Sequence, residues 1–402
     1  MSFFARRALY WLAYAPDFTA FALLAVFGAH AARNIRFFRW VRARAAEPMV
    51  APPSVSVLIP ARDEVTTIAS CVTSLLDQRY PQFEVIVLDD ASTDGTTERL
   101  ASLSAANPRL TVIHATDDPP PGWNGKSFAC QRLAARAAGE WLLFTDADTL
   151  HEPESLAVGI ARALTLDVDL LSVFPAQRCA TWGERVMVSF VIDFLPLIGL
   201  DLRAMWCGAS GRTAANGQYL LARAASYRAI GGHASVRGAL IDDFALAGRF
   251  RACGFRIALV DGTSMLSCRM YRSFRDVWAG FSKNLLGALT ASSARRLPIW
   301  WAPIFAWGYA SVFVMPFVGL LVAKRRAVAV VEITGLLLVR GLVGWSLHRP
   351  AHEVVTTPLA AWAVPLLGLL ALYRRWRRAP VVWKGRAYAA TPRRDETLHL
   401  NQ

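Results

Sequence analysis

The fold is decided by "SVSVLIPARDE" (residues 54–64) and "FEVIVLDD" (residues 83–90). In the first stretch, "SVSVLIP" is a short run rich in valine and isoleucine, which predicts a buried strand. Between the two stretches, "EVTTIASCVTSLLDQ" (64–78) has apolar residues at helical spacing. A strand, a helix and a second strand in so short a unit predict a parallel sheet.

The alternation of strand and helix continues toward the middle of the chain. The runs "RLTVIHA" (109–115) and "EWLLFTDAD" (140–148) predict two further strands, with helical stretches before each of them. Repeated units of this kind predict an α/β domain with a mostly parallel sheet and helices on both faces. Ligands of such sheets bind at the carboxyl ends of the strands, so the residues that follow each strand are the first candidates for a site.

Acidic residues follow three of these predicted strands, in "ARDE" (61–64), "DDASTDGTT" (89–97) and "TDAD" (145–148). Each motif alone is explained equally well as a helix cap or a strand-ending turn. Together they place several carboxylates at one edge of the sheet, where they repel each other unless a cation or hydrogen-bond donors lie between them. A hard divalent ion such as Mg²⁺ or Mn²⁺, bound by one or two carboxylates and by substrate phosphates, meets this requirement.

The composition indicates a membrane protein. Apolar residues make up 54% of the 402 residues and charged residues 18%, below the ~25% expected of a soluble domain. The net charge of +14 comes largely from basic stretches beside apolar segments, which favours anionic lipid head groups over nucleic acid as the partner. The six cysteines contain no C-x-x-C pair, so neither a zinc site nor a disulfide framework is predicted.

Four apolar segments are long enough to cross a bilayer, at residues 9–30, 298–323, 327–347 and 354–373. The first is predicted to be an uncleaved anchor rather than a signal peptide, because the arginine-rich "RNIRFFRWVRAR" (33–44) follows it in place of a cleavage site. We expect an N-terminal membrane anchor (1–33), a cytosolic globular domain (54–290), C-terminal membrane segments (298–373) and a basic cytosolic tail (374–402).

The positive-inside rule places the basic clusters after the anchor, at 324–326 and at 374–378, in the cytoplasm. Three C-terminal crossings cannot satisfy this rule, so residues 298–323 are expected to re-enter or to lie in the interface. The globular domain then faces the cytoplasm. Glu332 and Arg340 are expected to face protein, as a pair or along a path for a lipid. Residues 182–200 are predicted either as an interfacial helix or as a buried core helix.

From about Ser54 to Leu289 the chain resembles the inverting nucleotide-sugar transferases of glycosyltransferase family 2, which have the Rossmann-like GT-A fold. The resemblance depends on "SVLIPARDE", "VIVLDDASTDGT", "FTDADT" and the acidic pair in "IDDFALAGRFRACGFRI" (241–257), in that order. Within the family the chain is most similar to membrane-bound enzymes that glycosylate hydrophobic lipids, associated with hopanoid and carotenoid pathways, through "GWNGK" (122–126) and "GFSKN" (280–284).

The resemblance implies a role for each matching residue. Asp146 would lie against the sugar or ribose and, with Asp148, would bind a Mg²⁺ or Mn²⁺ ion that stabilises charge on the departing diphosphate. Asp243 would be the general base that takes a proton from the acceptor hydroxyl, with Asp242 supporting it. Two acids at a predicted helix N-terminus could also be purely structural. The implied nucleotide contacts are Pro60, Arg62, Asp63, Glu64, Asp89, Asp90, Lys126 and Asp146.

The stretch "PPPGWNGKSF" (119–128) looks like the end of a phosphate-binding P-loop, but Pro120 stands where that pattern needs a glycine. In family 2 a Gly-Lys step often opens the helix at this position. Lys126 is therefore expected to meet the donor's nucleotide or diphosphate as a point charge. Gly125 and the helix N-terminus would add backbone donors.

The sequence thus predicts an inverting, metal-dependent, membrane-anchored glycosyltransferase. It would move one sugar from a nucleotide donor to a hydroxylated membrane lipid such as a hopanoid or carotenoid. Polymer synthesis is disfavoured, because the Q-x-x-R-W motif of chain-extending members is absent from "SFRDVWAGFSKN" (273–284). The alternatives are a polyprenyl-phosphate glycosyltransferase, whose anionic acceptor has less need of a base, a nucleotide-binding scaffold without catalysis, and a P-loop nucleotidase.

Overall fold

The computed structural model of the chain describes residues 3–44, 51–239, 241–291, 302–377, 381–383 and 386–388. The strands are β1 (Val55–Ala61), β2 (Phe83–Asp90), β3 (Leu110–Ala115), β4 (Trp141–Phe144), β5 (Thr149–His151), β6 (Leu170–Phe174), β7 (Ala176–Gln177), β8 (Leu220–Arg223), β9 (Ile257–Asp261), β10 (Leu266–Cys268), β11 (Val381–Trp383) and β12 (Arg386–Tyr388).

The α-helices are α1 (Phe3–Arg44), α2 (Ile68–Leu76), α3 (Thr96–Ala106), α4 (Gly125–Arg136), α5 (Ser155–Leu166), α6 (Trp182–Val188), α7 (Leu195–Gly199), α8 (Leu202–Trp206), α9 (Ala224–Ala229), α10 (Asp242–Ala252), α11 (Phe274–Ala291), α12 (Ala302–Phe313), α13 (Met315–Gly319), α14 (Arg326–Ser346) and α15 (Thr357–Trp376). A π-helical segment (Ser189–Phe194) joins α6 to α7, and 3-10 turns form at Gly232–Val236, Ala323–Arg325 and Ala351–Thr356.

The central sheet has seven strands in the order β3-β2-β1-β4-β8-β6-β9. β1 pairs in parallel with β2 and β4, β2 with β3, and β6 with β9. Only β8 runs antiparallel to its neighbours, which are β4 and β6. The expectation of a mostly parallel α/β sheet of the GT-A type is therefore confirmed.

The register brings the strand ends to one edge of the sheet. Ala61 at the end of β1 lies opposite Asp89, and Asp90 at the end of β2 lies opposite Ala115. Because β8 is antiparallel, its first residue, Leu220, lies opposite Phe144, the last residue of β4. The segment that leads into β8 therefore starts at the same edge as the carboxyl ends of β1, β2 and β4.

The first strand and the first helix of this domain form where the apolar pattern predicts them. β1 is buried at every position except Pro60, as is typical of a strand covered on both faces. In α2 the buried residues are Ile68, Cys71, Val72 and Leu75, whose spacing of three and four positions makes one face of a helix.

The run predicted as a strand over 140–148 ends earlier, at Phe144. The chain turns at the acidic motif, where the Thr149 hydroxyl donates to the Asp146 carbonyl at 2.7 Å. It then enters β5, which belongs to a separate three-stranded sheet with the order β5-β10-β7. In that sheet Cys268 lies opposite Thr149, so β10 covers the end of the acidic motif.

α1 contains both the apolar anchor and the arginine-rich stretch that follows it. Its second half packs into the globular domain: the side chain of Asn34 is fully buried and donates to the carbonyls of Leu197 and Leu200, both at 2.8 Å. Phe38 is buried nearby. At the end of the helix, Arg42 forms an ion pair with Asp261 at 2.5 Å. The helix is therefore part of the domain core, although its length and composition also fit a membrane span.

Three helical stretches in the described ranges are long and apolar enough to cross a membrane: Tyr14–Arg44, Ala323–Ser346 and Ala351–Leu370. Residues 298–301 lie outside the described ranges. The rest of the 298–323 segment forms two shorter helices, α12 and α13, interrupted near Val314. At ~1.5 Å per residue, neither spans a ~30 Å hydrocarbon core.

Glu332 and Arg340 are both buried in α14, which agrees with the expectation that they face protein, but of the two alternatives the pairing is wrong. Arg340 donates to the carbonyl and hydroxyl of Ser189, at 2.7 and 2.6 Å. Glu332 lies beside Asp17 of α1 instead. The two charges are eight residues apart, about two helical turns, which is beyond the reach of one ion pair.

Residues 182–200 form α6, the π-helical segment and α7. Phe190, Phe194 and Leu197 are fully buried, while Trp182 at the start is exposed. Of the two predictions for this segment, the structure therefore shows the buried core helix.

Candidate active site

Two tight turns follow β1 and β2 at the carboxyl edge of the sheet. Asp63 and Ala91 have φ angles of 51° and 54°, in the left-handed region that non-glycine residues rarely adopt. The turns support each other, because the Asp63 N–H donates to the Ser92 hydroxyl at 2.9 Å and the Thr93 N–H donates to Asp63 Oδ1 at 2.8 Å. Such strain persists only where the surroundings impose it, and it is common at binding sites.

Asp89 is buried within these turns. Its carboxylate accepts from the Ser92 N–H at 3.2 Å and the Thr97 hydroxyl at 2.5 Å, and His114 Nδ1 lies 3.4 Å away. These contacts are with the loop after β2, the first turn of α3 and the neighbouring strand β3. Asp89 therefore stabilises the conformation of the loop after β2.

Of the neighbouring predicted residues, Pro60, Arg62 and Glu64 are half-buried and Asp90 is buried. Arg62 donates to the Asp90 carbonyl at 2.6 Å and lies 3.9 Å from the carboxylate of Asp90. Glu64 accepts from the Thr67 hydroxyl at 2.9 Å through its side chain. Pro60 lines the cavity described below.

The loop before α4 is a capped helix N-terminus. The side chain of Asn124 accepts from the Ser127 N–H at 2.7 Å, as an N-cap does. Its own N–H and side-chain amide donate to the carbonyls of Arg237 and Ala239, at 2.8 and 2.9 Å. These bonds join the loop to the segment before α10 and place Lys126 in the first turn of α4.

Lys126 makes the shortest charged contact of the site, with its Nζ 2.5 Å from Asp146 Oδ1. Burial alone would lower the pKa of this lysine, but Asp146 and Asp242 outweigh burial and raise the pKa well above its usual value. Lys126 is therefore a fixed positive charge at the sheet edge. It lies on the wall of a small cavity whose lining includes Pro60, Lys126, Asp146, Gly217, His233 and Asp242.

The acidic pair opens α10 on the other side of this cavity. Asp243 Oδ2 accepts from the Gly217 N–H at 2.7 Å, and its Oδ1 accepts from the Phe244 N–H at 2.8 Å. A Cβ on Gly217 would lie 3.2 Å from Lys126 Nζ and 3.3 Å from Asp243 Oδ2. Glycine at this position thus lets the lysine and the carboxylate approach the same point.

Burial and the neighbouring Asp242 raise the pKa of Asp243 to about 7, against the opposing effect of Lys126. A carboxyl group with such a pKa can accept a proton near neutral pH. Asp242 itself lines the cavity. Both acids also occupy the first turn of α10, where they favour the helix dipole, so the structural explanation and the chemical one are compatible.

Asp148 supplies a carboxylate oxygen suited to a metal ion. Its Oδ1 is buried and has no hydrogen-bond partner among the described residues. Burial, followed by the charges of Asp146 and Glu64, raises the pKa of Asp148 to about 7. The described part of the chain holds no cluster of three metal-binding side chains. The unpartnered Asp148 oxygen fits an ion such as Mg²⁺ or Mn²⁺ that takes one or two carboxylates and completes its shell with substrate phosphates and water.

Several residues of the site carry no signal in the sequence. Gly217 precedes β8, and it reaches the site only because that strand is antiparallel. His233 is buried on the cavity wall, where burial lowers its pKa to about 4 and the Tyr227 hydroxyl lies 2.8 Å from Nδ1. A lone histidine of this kind has no spacing pattern to reveal it.

Comparison with known proteins finds similarity to glycosyltransferases. Residues 56–219 match the family described as "Glycosyl transferase family 2". The chain is 26% identical to 4,4'-diaponeurosporenoate glycosyltransferase of Staphylococcus aureus (strain USA300) over 345 residues, which cover 84% of this chain and 88% of that protein.

Among solved structures, similar chains include a mannosyltransferase from Pyrobaculum calidifontis in complex with GDP-Man and Mn²⁺. It is 17% identical, has a TM-score of 0.46 and covers 90% of this chain and 99% of that one. Residues 1–349 of TarS from S. aureus, in complex with UDP-GlcNAc, are 14% identical with a TM-score of 0.40, and the alignment covers 85% of this chain and 97% of that one.

Proposed function

Since this chain is a glycosyltransferase with a family 2 domain at residues 56–219, we propose that it transfers a single sugar from a nucleotide-sugar donor to a membrane lipid, with inversion at the anomeric carbon and with a divalent metal ion. The observation that carries the proposal is the approach of one fixed cation, Lys126, to the carboxylates of Asp146 and Asp243 at the carboxyl edge of the sheet. In such a site the cation can stabilise the negative charge that grows on the leaving diphosphate, and a carboxylate can take the proton that the acceptor loses.

The donor side of the site is formed by the turns after β1 and β2 and by the first turn of α4. Arg62 and Asp90 lie together in the first region and would contact the nucleoside. Lys126 and the backbone N–H groups at the start of α4 would contact the diphosphate, because a helix N-terminus and a lysine both favour anions.

The metal ion would be held by Asp148, with Asp146 beside it. The unpartnered Asp148 Oδ1 supports this assignment, since a buried carboxylate oxygen without a donor is costly unless a ligand satisfies it. When bound, the ion would neutralise charge on the diphosphate that leaves.

Asp243 would act as the general base. In the proposed step it takes the proton of the acceptor hydroxyl, while the acceptor oxygen bonds to the anomeric carbon and the bond from that carbon to the diphosphate oxygen breaks. The proton then resides on Asp243, and the nucleoside diphosphate departs with the bonding electrons. The hydrogen bond from Gly217 would keep Oδ2 oriented.

The acceptor would be an apolar lipid, in keeping with the three helical stretches able to cross a membrane. The S. aureus relative is named for a carotenoid-type acceptor whose suffix, "-oate", denotes a carboxylate. A carboxylate or a polyprenyl phosphate is already ionised at neutral pH, whereas a hydroxyl needs a base. The Asp243→Asn variant separates these classes, since it should abolish transfer to a hydroxyl and leave much of the transfer to an anion.

The proposal is tested with the full chain purified in detergent, a lipid extract, and UDP-glucose, UDP-GlcNAc or GDP-mannose as donor. Mass spectrometry of the lipids should show one added sugar in the presence of Mn²⁺ or Mg²⁺ and none with EDTA. NMR of the product should show the anomeric configuration opposite to that of the donor.

Asp148→Ala should reduce transfer by at least ~100-fold, as expected when a ligand to a catalytic ion is lost. Asp77→Ala is the matched control, because Asp77 is exposed at the end of α2. Equal turnover in Asp148→Ala and in the parent would show that the metal assignment is wrong.

A further inference from the structure

Helix α14 packs antiparallel against α1. The side chain of Asp17, in the N-terminal half of α1, is buried and forms an ion pair with Arg325, one residue before α14. Further along α1, Gly28 faces the middle of α14, where a Cβ on the glycine would lie 3.6 Å from Val339. The start of α14 therefore lies beside the N-terminal half of α1.

The end of α14 lies at the globular domain. The Arg39 guanidinium, in the half of α1 that packs into the domain, lies over the ring of Trp345 at 5.1 Å from its centroid. Just after α14, Arg349 donates to the Gln177 carbonyl of β7. Asp17 and Arg39 are separated by roughly 33 Å of helix at ~1.5 Å per residue, close to the ~30 Å hydrocarbon core of a bilayer.

Exposed tryptophans lie at both ends of this stretch. Trp345 is 61% exposed at the domain end. Trp307 is 45% exposed near the other end, where its indole N–H donates to the Thr19 hydroxyl at 3.2 Å. Between them α14 presents exposed apolar side chains, among them Val331 and Leu338. Because tryptophan is enriched at both membrane–water interfaces, this pattern favours a bilayer crossing by α1 and α14.

A basic surface lies at the end of α14 away from the globular domain. It is formed by Lys324, Arg325 and Arg326, which we call the distal basic cluster. Arg325 is held by the buried Asp17, whereas Lys324 and Arg326 are exposed. The nearby Leu321 is 81% exposed. Basic side chains beside exposed apolar ones fit a membrane surface, where they attract anionic head groups.

We propose that the distal basic cluster binds the phosphates of anionic lipids in the leaflet opposite the globular domain. In this arrangement the cluster and the arginines of residues 33–44 lie on opposite membrane faces. The positive-inside expectation that both are cytoplasmic then cannot hold, because the antiparallel packing of α1 and α14 separates them by the length of a membrane-spanning helix. The inference is independent of the proposed transfer reaction.

The first test determines the membrane face of the cluster. Sealed membrane vesicles of both orientations that carry Arg326→Cys are treated with a membrane-impermeant maleimide, and peptide mass spectrometry identifies the labelled thiols. Cys207 and Cys253 are exposed on the globular domain and report its face in the same sample. We expect the thiol at position 326 to react only in the orientation in which these two are protected.

Reaction of all three thiols in the same orientation would overturn the proposal. If Arg326→Cys reacts in neither orientation, Lys324→Cys is decisive. Labelling opposite to that of Cys207 and Cys253 supports the proposal. Labelling on the same side, or on neither side, shows that the cluster does not reach the opposite face.

The second test measures lipid contact at the cluster itself. The full chain in proteoliposomes is photo-crosslinked to phosphatidylglycerol or phosphatidylcholine with a reactive head group, and the yield on the peptide that contains residues 324–326 is measured. Lys324→Gln combined with Arg326→Gln removes two charges and keeps the pair between Arg325 and Asp17. We expect the phosphatidylglycerol yield to fall at least ~10-fold and the phosphatidylcholine yield to stay unchanged, because each basic residue near a membrane contributes severalfold to the attraction of anionic lipid.

Arg99→Gln combined with Arg228→Gln is the matched control, since it removes two exposed arginines from α3 and α9 of the globular domain. Its yield at the cluster should stay within about twofold of the parent. Equal yields for the two lipids in the parent, or an unchanged yield in the cluster variant, would show that no anionic lipid binds there. Thermal unfolding shows that each variant is folded, and if the double cluster variant is not, Lys324→Gln alone is decisive, with an expected loss of at least ~3-fold.

Discussion

Lys126 Nζ lies 2.5 Å from Asp146 Oδ1, and the two side chains face the same cavity as Asp242. The lysine comes from the first turn of α4 and the aspartate from the turn after β4. The pair therefore joins the two halves of the site, and under the proposed function its charge balance would govern the binding of an anionic donor.

Replacing this lysine should weaken donor binding. Lys126→Met removes one charge-assisted contact, worth ~1.5–3 kcal/mol, and leaves Asp146 and Asp242 to repel the diphosphate. We expect the KM for the nucleotide-sugar to rise at least ~10-fold. Arg132→Met is the matched control, since Arg132 is on the same helix and lies 3.9 Å from Asp117. An unchanged KM in Lys126→Met would contradict the donor assignment.

Transfer to a hydroxyl acceptor should depend on pH through Asp243. Burial and Asp242 raise the pKa of this carboxyl to about 7, so kcat/KM should rise with pH and level off above about 7, as the base loses its proton. Asp243→Asn should abolish this ascending limb together with most of the activity. Asp242→Asn should keep it, although its midpoint should move to lower pH because the repulsion is removed.

The same raised pKa predicts a change in stability with the opposite sign to that of most carboxylates. The folded chain holds the Asp243 proton more tightly than the unfolded chain, so this group's contribution to the free energy of unfolding falls as pH rises from about 4 to about 7. Asn resembles the protonated acid. Asp243→Asn should therefore raise Tm at about pH 8 and change it little at about pH 4. A lower Tm at the higher pH would disprove the shift.

A buried ion-pair cluster joins the loop after α14 to the π-helical segment. Arg349 lies 3.6 Å from Asp193 and 2.8 Å from Glu353, with every side chain at most 8% exposed. Arg349→Gln would remove the ion-pair partner of both buried carboxylates, leaving only the more distant charge of Arg340, and should cost ~3–5 kcal/mol. Arg79→Gln breaks the exposed pair with Glu154 and should cost less than ~1 kcal/mol. Thermal unfolding in detergent measures both, and equal shifts in Tm would argue against the cluster.

The second half of α1 should matter to the stability of the globular domain. Phe38 is buried and its ring packs edge-on against Phe174 of β6, with centroids 6.1 Å apart. Phe38→Ala should destabilise the protein by ~3–5 kcal/mol, as large-to-small changes in a core do. Phe21→Ala, on the exposed part of the same helix, should have a smaller effect in detergent. A similar Tm for both variants would indicate that the helix serves only as an anchor.

Much of the fold, and the position of the acidic motifs at one edge of the sheet, could be predicted from the sequence. The strands β1 to β3 are short runs with valine, isoleucine or threonine, β4 is a short apolar run, and α2 repeats apolar residues at three and four positions, so local pattern identifies them. Because parallel strands end at one edge, the acidic motifs at 61–64, 89–97 and 145–148 could be assigned to a common site before any contact was known. The apolar segments followed from length and composition alone.

The other side of the site depends on contacts between residues far apart in the chain. The antiparallel direction of β8 brings Gly217 and Gln218 to the strand ends, and the fold of α14 gives Glu332 and Arg340 different partners. No local pattern encodes such pairings, because they follow from which surfaces pack together. The sequence by itself therefore determined the elements and the chemical groups at their ends. Only the tertiary structure decided which of those groups meet, since strand direction and helix packing are set by long-range burial rather than by periodicity.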